Sequence, residues 1–338
     1  MYTGILVAFF DIVNYEGGVM RSDVAIIGGG VVGCAIARHL AERWPCRDIV
    51  VIEKNQDVGM EASSRNSGVI HSGVHQPSSF LKTRLAVRGS ILTQQYARAH
   101  NVPIMHCGMI VPVSYDVFFR RGLWDNIKAF RKLLANAKKH NIHIDYLTPL
   151  GIGRLECNIK SVGGLFLPDV AVIDPIAFVK SLRDEAEKHG VLFLYESEVV
   201  NIVTDNHYVI TAGNSIIDAH ILINAAGLYA DEISHMACGK TYAIYPWRGE
   251  YYEVKEMKRH LVERLVYPPP SLHQGFKGIH LSPRPDGKLF IGPNARRVQS
   301  KNDYSCDKTP AAVFYKAVHR FLPSIKESDL AWAYAGIR

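Results

Sequence analysis

The sequence contains no run of 18 apolar residues, no C-x-x-C pair, no internal repeat and no low-complexity stretch. The first absence excludes a membrane-spanning helix on length alone. The second goes with six scattered cysteines, Cys34, Cys46, Cys107, Cys157, Cys238 and Cys306. Their spacing fits no zinc pattern, and so few thiols in a long chain point to a reducing, intracellular setting. No metal site is expected. Lys and Arg outnumber Asp and Glu by 39 to 32, for a net charge of +7. These cations are dispersed and no nucleic-acid motif accompanies them, which argues against a nucleic-acid partner. The charge reads as a solvated surface, or as a field that attracts an acidic substrate or an anionic membrane face.

What is present is an enzyme-like composition, 48% hydrophobic and 21% charged over 338 residues. That length exceeds what one core usefully fills, so two domains are expected. Residues 1–19 stand apart. Ile5 to Phe10 is a short apolar run with no basic residue before it, which lacks the shape of a secretion signal. Met20-Arg21-Ser22 then leads into a strand, so Met20 is the expected natural start and residues 1–19 an extension.

Asp23 to Ile27 is a short apolar run, as a buried parallel strand would be. Gly28-Gly29-Gly30-Val31-Val32-Gly33 follows, then a predicted helix from Cys34 to Trp44 with Ala35, Ala37, Leu40 and Ala41 toward a sheet, stopped by Pro45. Asp48 to Ile52 is a second predicted strand, ending at Glu53. Each part has a task. Gly28 permits the tight turn, Gly30 lets backbone approach a pyrophosphate, and Gly33 lets helix and strand pack closely. The helix N-terminus faces phosphate charge. Glu53 lies where a carboxylate accepts from ribose hydroxyls, which disfavours a 2′-phosphate.

This fingerprint does not separate NAD from FAD. Two later segments favour FAD. Glu61 to Gly73 is a small, polar, glycine-punctuated loop directly after the ribose acid, suited to a second phosphate and a flavin ring. Ile221 to Gly227 is an apolar run that opens into Ala225-Ala226-Gly227, where small residues let backbone approach a nucleotide, and Glu198 to Ile202, with Val199, is placed to border an adenine.

Gly28 to Gly33, Glu53-Lys54, Arg65-Asn66-Ser67-Gly68-Val69-Ile70-His71-Ser72-Gly73 and Asn224 to Asp231 together resemble the D-amino-acid-oxidase-like (DAO-like) FAD-dependent oxidoreductases. Within them the chain is similar to the L-2-hydroxyglutarate dehydrogenase/oxidase group, through Arg248-Gly249-Glu250-Tyr251-Tyr252, Gly278-Ile279-His280-Leu281, Gly292-Pro293-Asn294-Ala295 and Tyr334 to Arg338. The resemblance covers residues 22–338. It implies an α/β fold with a Rossmann-like FAD-binding domain of the glutathione-reductase type and a second, sheet-containing substrate domain. Residues 20–100, 145–235 and 326–338 are then expected in the FAD domain, and 101–144 with 236–325 in the substrate domain. Phe80 to Ala99, Val117 to His140 and Pro175 to His189 are predicted helices, the last capped by Asp174. Met105 to Val113, 191–202, 207–211, Gly249 to Val254 and Lys288 to Ile291 are predicted strands. Ala331 to Arg338 is expected to cross back to the FAD domain.

The implied reaction is oxidation of an L-2-hydroxy acid, L-2-hydroxyglutarate to 2-oxoglutarate, with hydride transfer to flavin N5 and a quinone or oxygen as electron acceptor. Such chemistry needs a base, and His280 is favoured, with His71 next. It also needs carboxylate binders, for which Arg248, Tyr251 and Arg65 are candidates. Of Tyr251 and Tyr252, which alternate along a strand, one should face the cavity. FAD contacts are expected from Gly28, Gly30, Val31, Val32, Gly33, Glu53, Lys54, Ser63, Ser64, Arg65, Asn66, Ser67, Gly68, His71, Val199, Ala225, Ala226, Gly227, Gly336 and Arg338, without covalent attachment. The resemblance also implies a further segment after Arg338 that carries donors near flavin N1 and O2, and its absence would weaken flavin binding. An amine or amino-acid oxidase and an inactive FAD-binding remnant stay open as alternatives. A cytoplasmic protein, in contact with the inner face of the cell membrane, is expected.

Overall fold

In the computed structural model, the described residues are 15–16, 18–75, 79–115, 123–269, 278–304 and 307–338. The Ile5 to Phe10 run, Cys306 and the first part of the predicted Val117 to His140 helix lie outside them. The chain forms two compact units, Met1–Ser64 with Ile176–Pro246 and Arg65–Pro175 with Trp247–Arg338. Residues 65–100, 145–175 and 326–338, expected with the FAD domain, thus fall in the second unit.

The first unit is built on a seven-stranded sheet. Leu192–Leu194, Ile49–Ile52, Val19–Ile27 and Ser215–Asn224 run parallel in that order, and Tyr208–Ala212 and Val199–Thr204 continue antiparallel. Tyr15–Glu16 pairs with the start of Val19–Ile27, so the strand predicted from Asp23 begins four residues earlier. All four residues of Ile49–Ile52 are buried, as a parallel strand covered on both faces requires. The fingerprint helix spans Val31–Arg43 and buries Gly33, Cys34, Ala37 and Ala41. Small residues at this spacing bring its axis close to the sheet. Ala35 and Leu40, predicted on that face, are half-buried. The predicted 191–202 strand is two strands, separated by a turn in which Glu196 takes a positive φ of 51°.

The second unit holds a nine-stranded sheet and a three-stranded one. The large sheet runs Arg296–Arg297, Trp247–Val254, Leu289–Gly292, His280–Pro283, Leu265–Val266, Met109–Pro112, Gly164–Leu167 and Asp145–Leu147. Leu330–Ile337 pairs antiparallel with Trp247–Val254. This corrects the expectation that Ala331 to Arg338 crosses to the FAD domain, because its backbone hydrogen bonds are spent on this sheet. The predicted Met105 to Val113 strand also breaks. Ile104–Met105 joins the three-stranded sheet and Met109–Pro112 the large one. Gly108 turns the chain between them at φ +66°, where a Cβ would lie 2.5 Å from the Phe166 ring.

Strand alternation gives the large sheet two different faces. Tyr252, Val254, Leu281, Leu289 and Ile291 pack with Phe314, Val318, Phe321 and Leu322 in one core. Tyr251, His280, Ser282 and Phe290 point the other way by parity. A bulge between Tyr251 and Tyr252 lets Trp332 pack on the core side while Tyr334 lies on the opposite face against Tyr251. The helices Leu81–Ala99, Leu123–Lys139 and Ala311–Val318 belong to this unit. The second of them is Lys-rich on its surface but buries Ala129, Leu133 and Ala137, one residue per turn. Among the described residues no helix is long and apolar enough to cross a membrane.

Candidate functional site

In the first unit the fingerprint turn, the end of Ile49–Ile52 and the end of Ser215–Asn224 converge on one cleft of about 1000 Å³, open mouth included. Its walls include Gly28, Gly30, Val31, Val32, Glu53, Lys54, Ser63, Val199, Ala225, Ala226 and Gly227, eleven residues expected to contact a cofactor. Glycine is required at two points. A Cβ on Gly28 would sit 2.5 Å from the Ala225 carbonyl oxygen, and one on Gly33 would sit 1.9 Å from that of Gly28. Gly33 therefore acts from beneath the cleft, by letting the helix press onto the turn. Ser64 is also off the cleft wall, its hydroxyl donating to the Glu61 carbonyl at 3.3 Å.

The N-terminus of the fingerprint helix is left without a side-chain cap at Gly30 and without acid in its first turn. Ser63 Oγ accepts from the Val31 N–H at 3.0 Å. The remaining positive end of the helix is available to an anion. Glu53 is buried, its Oε2 accepting from the Gly29 N–H at 2.7 Å and its Oε1 from the Asn55 N–H and Nδ2 at 2.9 and 2.7 Å. Three donors leave a carboxylate room for a further one, as a ribose hydroxyl demands. Burial works against the charge of Lys54, but the Glu61 carboxylate at 2.7 Å and a hydrogen bond with Tyr229 outweigh it and hold the ammonium above its usual range. Glycines at a helix N-terminus, a buried ribose-type acid and small residues at Ala225 to Gly227 fit the ADP half of FAD. Asn55, Tyr229, Glu232 and Met236 also line the cleft and were not anticipated. Asn55 had a signal, two residues after Glu53. Tyr229 sits in the quoted Asn224 to Asp231 segment. Glu232 and Met236 had none.

The other expected cofactor residues, Arg65, Asn66, Ser67, Gly68, His71, Gly336 and Arg338, belong to the second unit. Asn66 Oδ1 accepts from the Gly68 N–H at 2.8 Å, and Gly68 takes φ +65°. A Cβ on Gly336 would lie 1.9 Å from the Arg65 carbonyl oxygen, so that glycine lets the strand touch the loop backbone. Arg338 is exposed and exchanges both backbone hydrogen bonds with Trp247, at 2.8 and 2.9 Å.

On the large sheet's polar face His280 is buried and its Nδ1 lies 3.2 Å from the Gly278 carbonyl. A carbonyl only accepts, which places the proton on Nδ1 and the lone pair on Nε2. The His280 ring stacks on Tyr267 with centroids 3.8 Å apart, and His71 meets Tyr267 edge-on at 6.2 Å. Tyr251 stacks on Tyr334 at 4.6 Å, while Tyr252 is in the core, its hydroxyl donating to the Thr309 carbonyl at 2.7 Å. Burial pushes the Tyr334 phenol up to about 12 and raises Tyr251 as well.

Arg248 is held within its own unit. It is 1% exposed, donates from Nη1 to Asp303 Oδ1 at 2.7 Å and from Nη2 to the Asp307 carbonyl at 2.9 Å. Both of its Nη atoms are thus engaged within its own unit, while its Nε has no hydrogen-bond partner among the described residues. Glu250, two residues on, is bonded within the same unit. Glu250 accepts from Asn294 Nδ2 at 2.8 Å, from the Thr309 N–H at 3.0 Å and from the Thr309 hydroxyl, which ties the R-G-E-Y-Y segment to G-P-N-A. The arginine on the His280 face is Arg284. Its Nη2 donates to the Asn66 carbonyl at 2.7 Å and to the Tyr334 hydroxyl, and its Nε has no hydrogen-bond partner among the described residues. Period-two counting from His280 through Ser282 reaches Arg284, a signal that motif matching passed over. Among the described residues no cluster of three His, Cys, Asp or Glu could hold a metal.

Residues 23–338 match the family described as FAD dependent oxidoreductase. A mitochondrial L-2-hydroxyglutarate dehydrogenase of Nematostella vectensis is 30% identical over 300 residues, 84% of this chain and 64% of its own. A glycerol 3-phosphate dehydrogenase of Caloramator mitchellensis is 29% identical over 94% of this chain and 64% of its own. The chain thus spans less than two thirds of the length of these relatives. Among solved structures, the dithionite-reduced L-alpha-glycerophosphate oxidase of Mycoplasma pneumoniae with FAD bound superposes with a TM-score of 0.84 at 25% identity, over 94% of this chain and 83% of its own.

Proposed function

The chain belongs to the FAD dependent oxidoreductase family, and we propose that it oxidises an L-2-hydroxy acid, with L-2-hydroxyglutarate as substrate and 2-oxoglutarate as product. The observation that carries this reading is the buried His280, held by Gly278 with its basic nitrogen at Nε2, on a sheet face that also presents Arg284 and Tyr251. The relatives with the same printed activity support the choice of substrate.

Gly28, Gly30, Glu53 and Ala225 to Gly227 would hold the ADP half of FAD. When bound, FAD accepts the hydrogen that leaves the α-carbon with its electron pair. The protein's own part is the proton. His280 Nε2 takes it from the substrate hydroxyl as the carbonyl forms, and His71 is the second candidate. Arg284 and Tyr251, rather than Arg248, are assigned to the substrate carboxylates, with Arg65 and Arg338 as further cations. A quinone or oxygen would serve as the electron acceptor. The basic balance favours a cytoplasmic protein at the anionic inner face of the membrane.

A second reading has sn-glycerol 3-phosphate as the substrate, favoured by the glycerol-phosphate relative and the superposed oxidase. Product identification separates the two. One equivalent of 2-oxoglutarate per FAD under single turnover is expected. Reduction by glycerol 3-phosphate alone establishes the second reading, and reduction by glycine or proline alone establishes an amino-acid oxidase. A protein that binds no flavin, or whose flavin none of these reduces, is the inactive remnant.

A further inference from the structure

Tyr267 is 1% exposed, and its hydroxyl has no hydrogen-bond partner among the described residues. A buried phenol ordinarily finds one. What surrounds this one is rings. Val266 pairs with Leu281 across antiparallel strands, so Tyr267 lies beside His280. The two rings are 3.8 Å apart with only 15° between their planes. His75 lies nearly parallel to Tyr267 at 6.0 Å, and His71 is edge-on at 6.2 Å. Burial drives the Tyr267 phenol well above its usual range, so the ring stays neutral. The face of a neutral aromatic ring is electron-rich and attracts a cation held against it.

We infer that Tyr267 is a positioning residue for His280, whose ring face steadies the imidazole and stabilises the positive charge His280 gains when it takes the substrate's hydroxyl proton. This rests on His280 as the base in the reading above. The role belongs to the ring and not to the hydroxyl. Other titratable groups face this pair from several elements. His71 and His75 follow the Val69–Ile70 strand, Tyr251 comes from Trp247–Val254, Arg284 follows His280–Pro283, and Cys107 precedes Met109–Pro112. Arg284, when His280 is charged, opposes it, and the Tyr267 face works against that repulsion.

The test is the titration of the His280 ring protons by NMR in the flavin-loaded protein, which needs no substrate. Tyr267→Phe keeps the face and should leave the midpoint unchanged. Tyr267→Leu removes the face and should lower it by about one pH unit. Pentafluorophenylalanine at the same position keeps the shape but reverses the face, and should lower it at least as far, so the test survives if the leucine variant does not fold. The acid limb of the rate profile should move in step. A midpoint unmoved by both face-removing changes, or moved as far by Tyr267→Phe, overturns the inference. If the midpoint shifts as expected while L-2-hydroxyglutarate fails to reduce the flavin, the coupling stands and the substrate assignment falls.

Discussion

The two units carry chemistry in different ways. In the first, the functional residues are contiguous: a strand ends, three glycines turn, a helix starts, and an acid closes the second strand. In the second, the contiguous motifs mostly pack, and the polar face gathers residues far apart in sequence, Asn66, Tyr251, Tyr267, His280, Arg284 and Tyr334. Backbone shape holds a nucleotide, and a short segment specifies backbone shape. A reaction face needs side chains from several strands, and only strand alternation relates them.

The sharpest break of this contrast is at His280. His280→Ala should retain bound flavin and slow its reduction by about 10²- to 10⁴-fold, read by anaerobic stopped flow. Retained rate there, with loss in His71→Ala, would move the base to the glycine-rich loop. Next in size is Gly33→Ala. Its Cβ would lie 1.9 Å from the Gly28 carbonyl oxygen, a backbone atom that must shift. The change should cost about 3 kcal/mol of stability and release flavin, measured by urea unfolding and by the ratio of flavin to protein absorbance.

Arg248→Ala tests the second unit from the opposite side. Loss of a buried guanidinium paired with Asp303 should destabilise by about 3 kcal/mol, at the low end for buried pairs because Asp303 is 23% exposed. KM of the folded fraction should not change. A large KM increase without destabilisation would restore Arg248 as a carboxylate binder.

The smallest effect is at Glu250. Burial pushes its carboxyl up, but hydrogen bonds from Thr309 and Asn294 overcome this and hold it below the usual range. The folded state therefore binds this proton less readily than the unfolded chain. Its stabilisation is present above the ordinary carboxylate pKa, about 4.3, and is lost as pH falls through the lower folded value. Glu250→Gln should cost about 1 kcal/mol near neutrality and shrink the loss of stability with acid. Parallel acid limbs in denaturation of the two proteins would contradict it.

Much of the first unit is legible in the sequence because each feature is local. Asp23 to Ile27, the glycines and Glu53 announce strand, turn and acid within 31 residues, and Ala225-Ala226-Gly227 announces the opposite wall. The second unit misleads for a physical reason. Arg248 looks like a carboxylate binder by residue type, yet its partner Asp303 is 55 residues away. Gly336 looks like a cofactor glycine, and its demonstrable task is to admit the Arg65 backbone. Arg284 escaped because no motif marks it, although it shares parity with His280. The pairing of Leu330–Ile337 with Trp247–Val254 is not legible, because apolar patterning shows that a strand is buried, but not which neighbour it pairs with.

The central claim, that FAD held by the Gly28–Glu53 fingerprint oxidises an L-2-hydroxy acid, is tested most directly by anaerobic titration of the purified flavoprotein with L-2-hydroxyglutarate. Bleaching of the flavin band is expected, complete at one equivalent, with no response to the D enantiomer. A flavin that stays oxidised with the L acid but bleaches with glycerol 3-phosphate or an amino acid would contradict it.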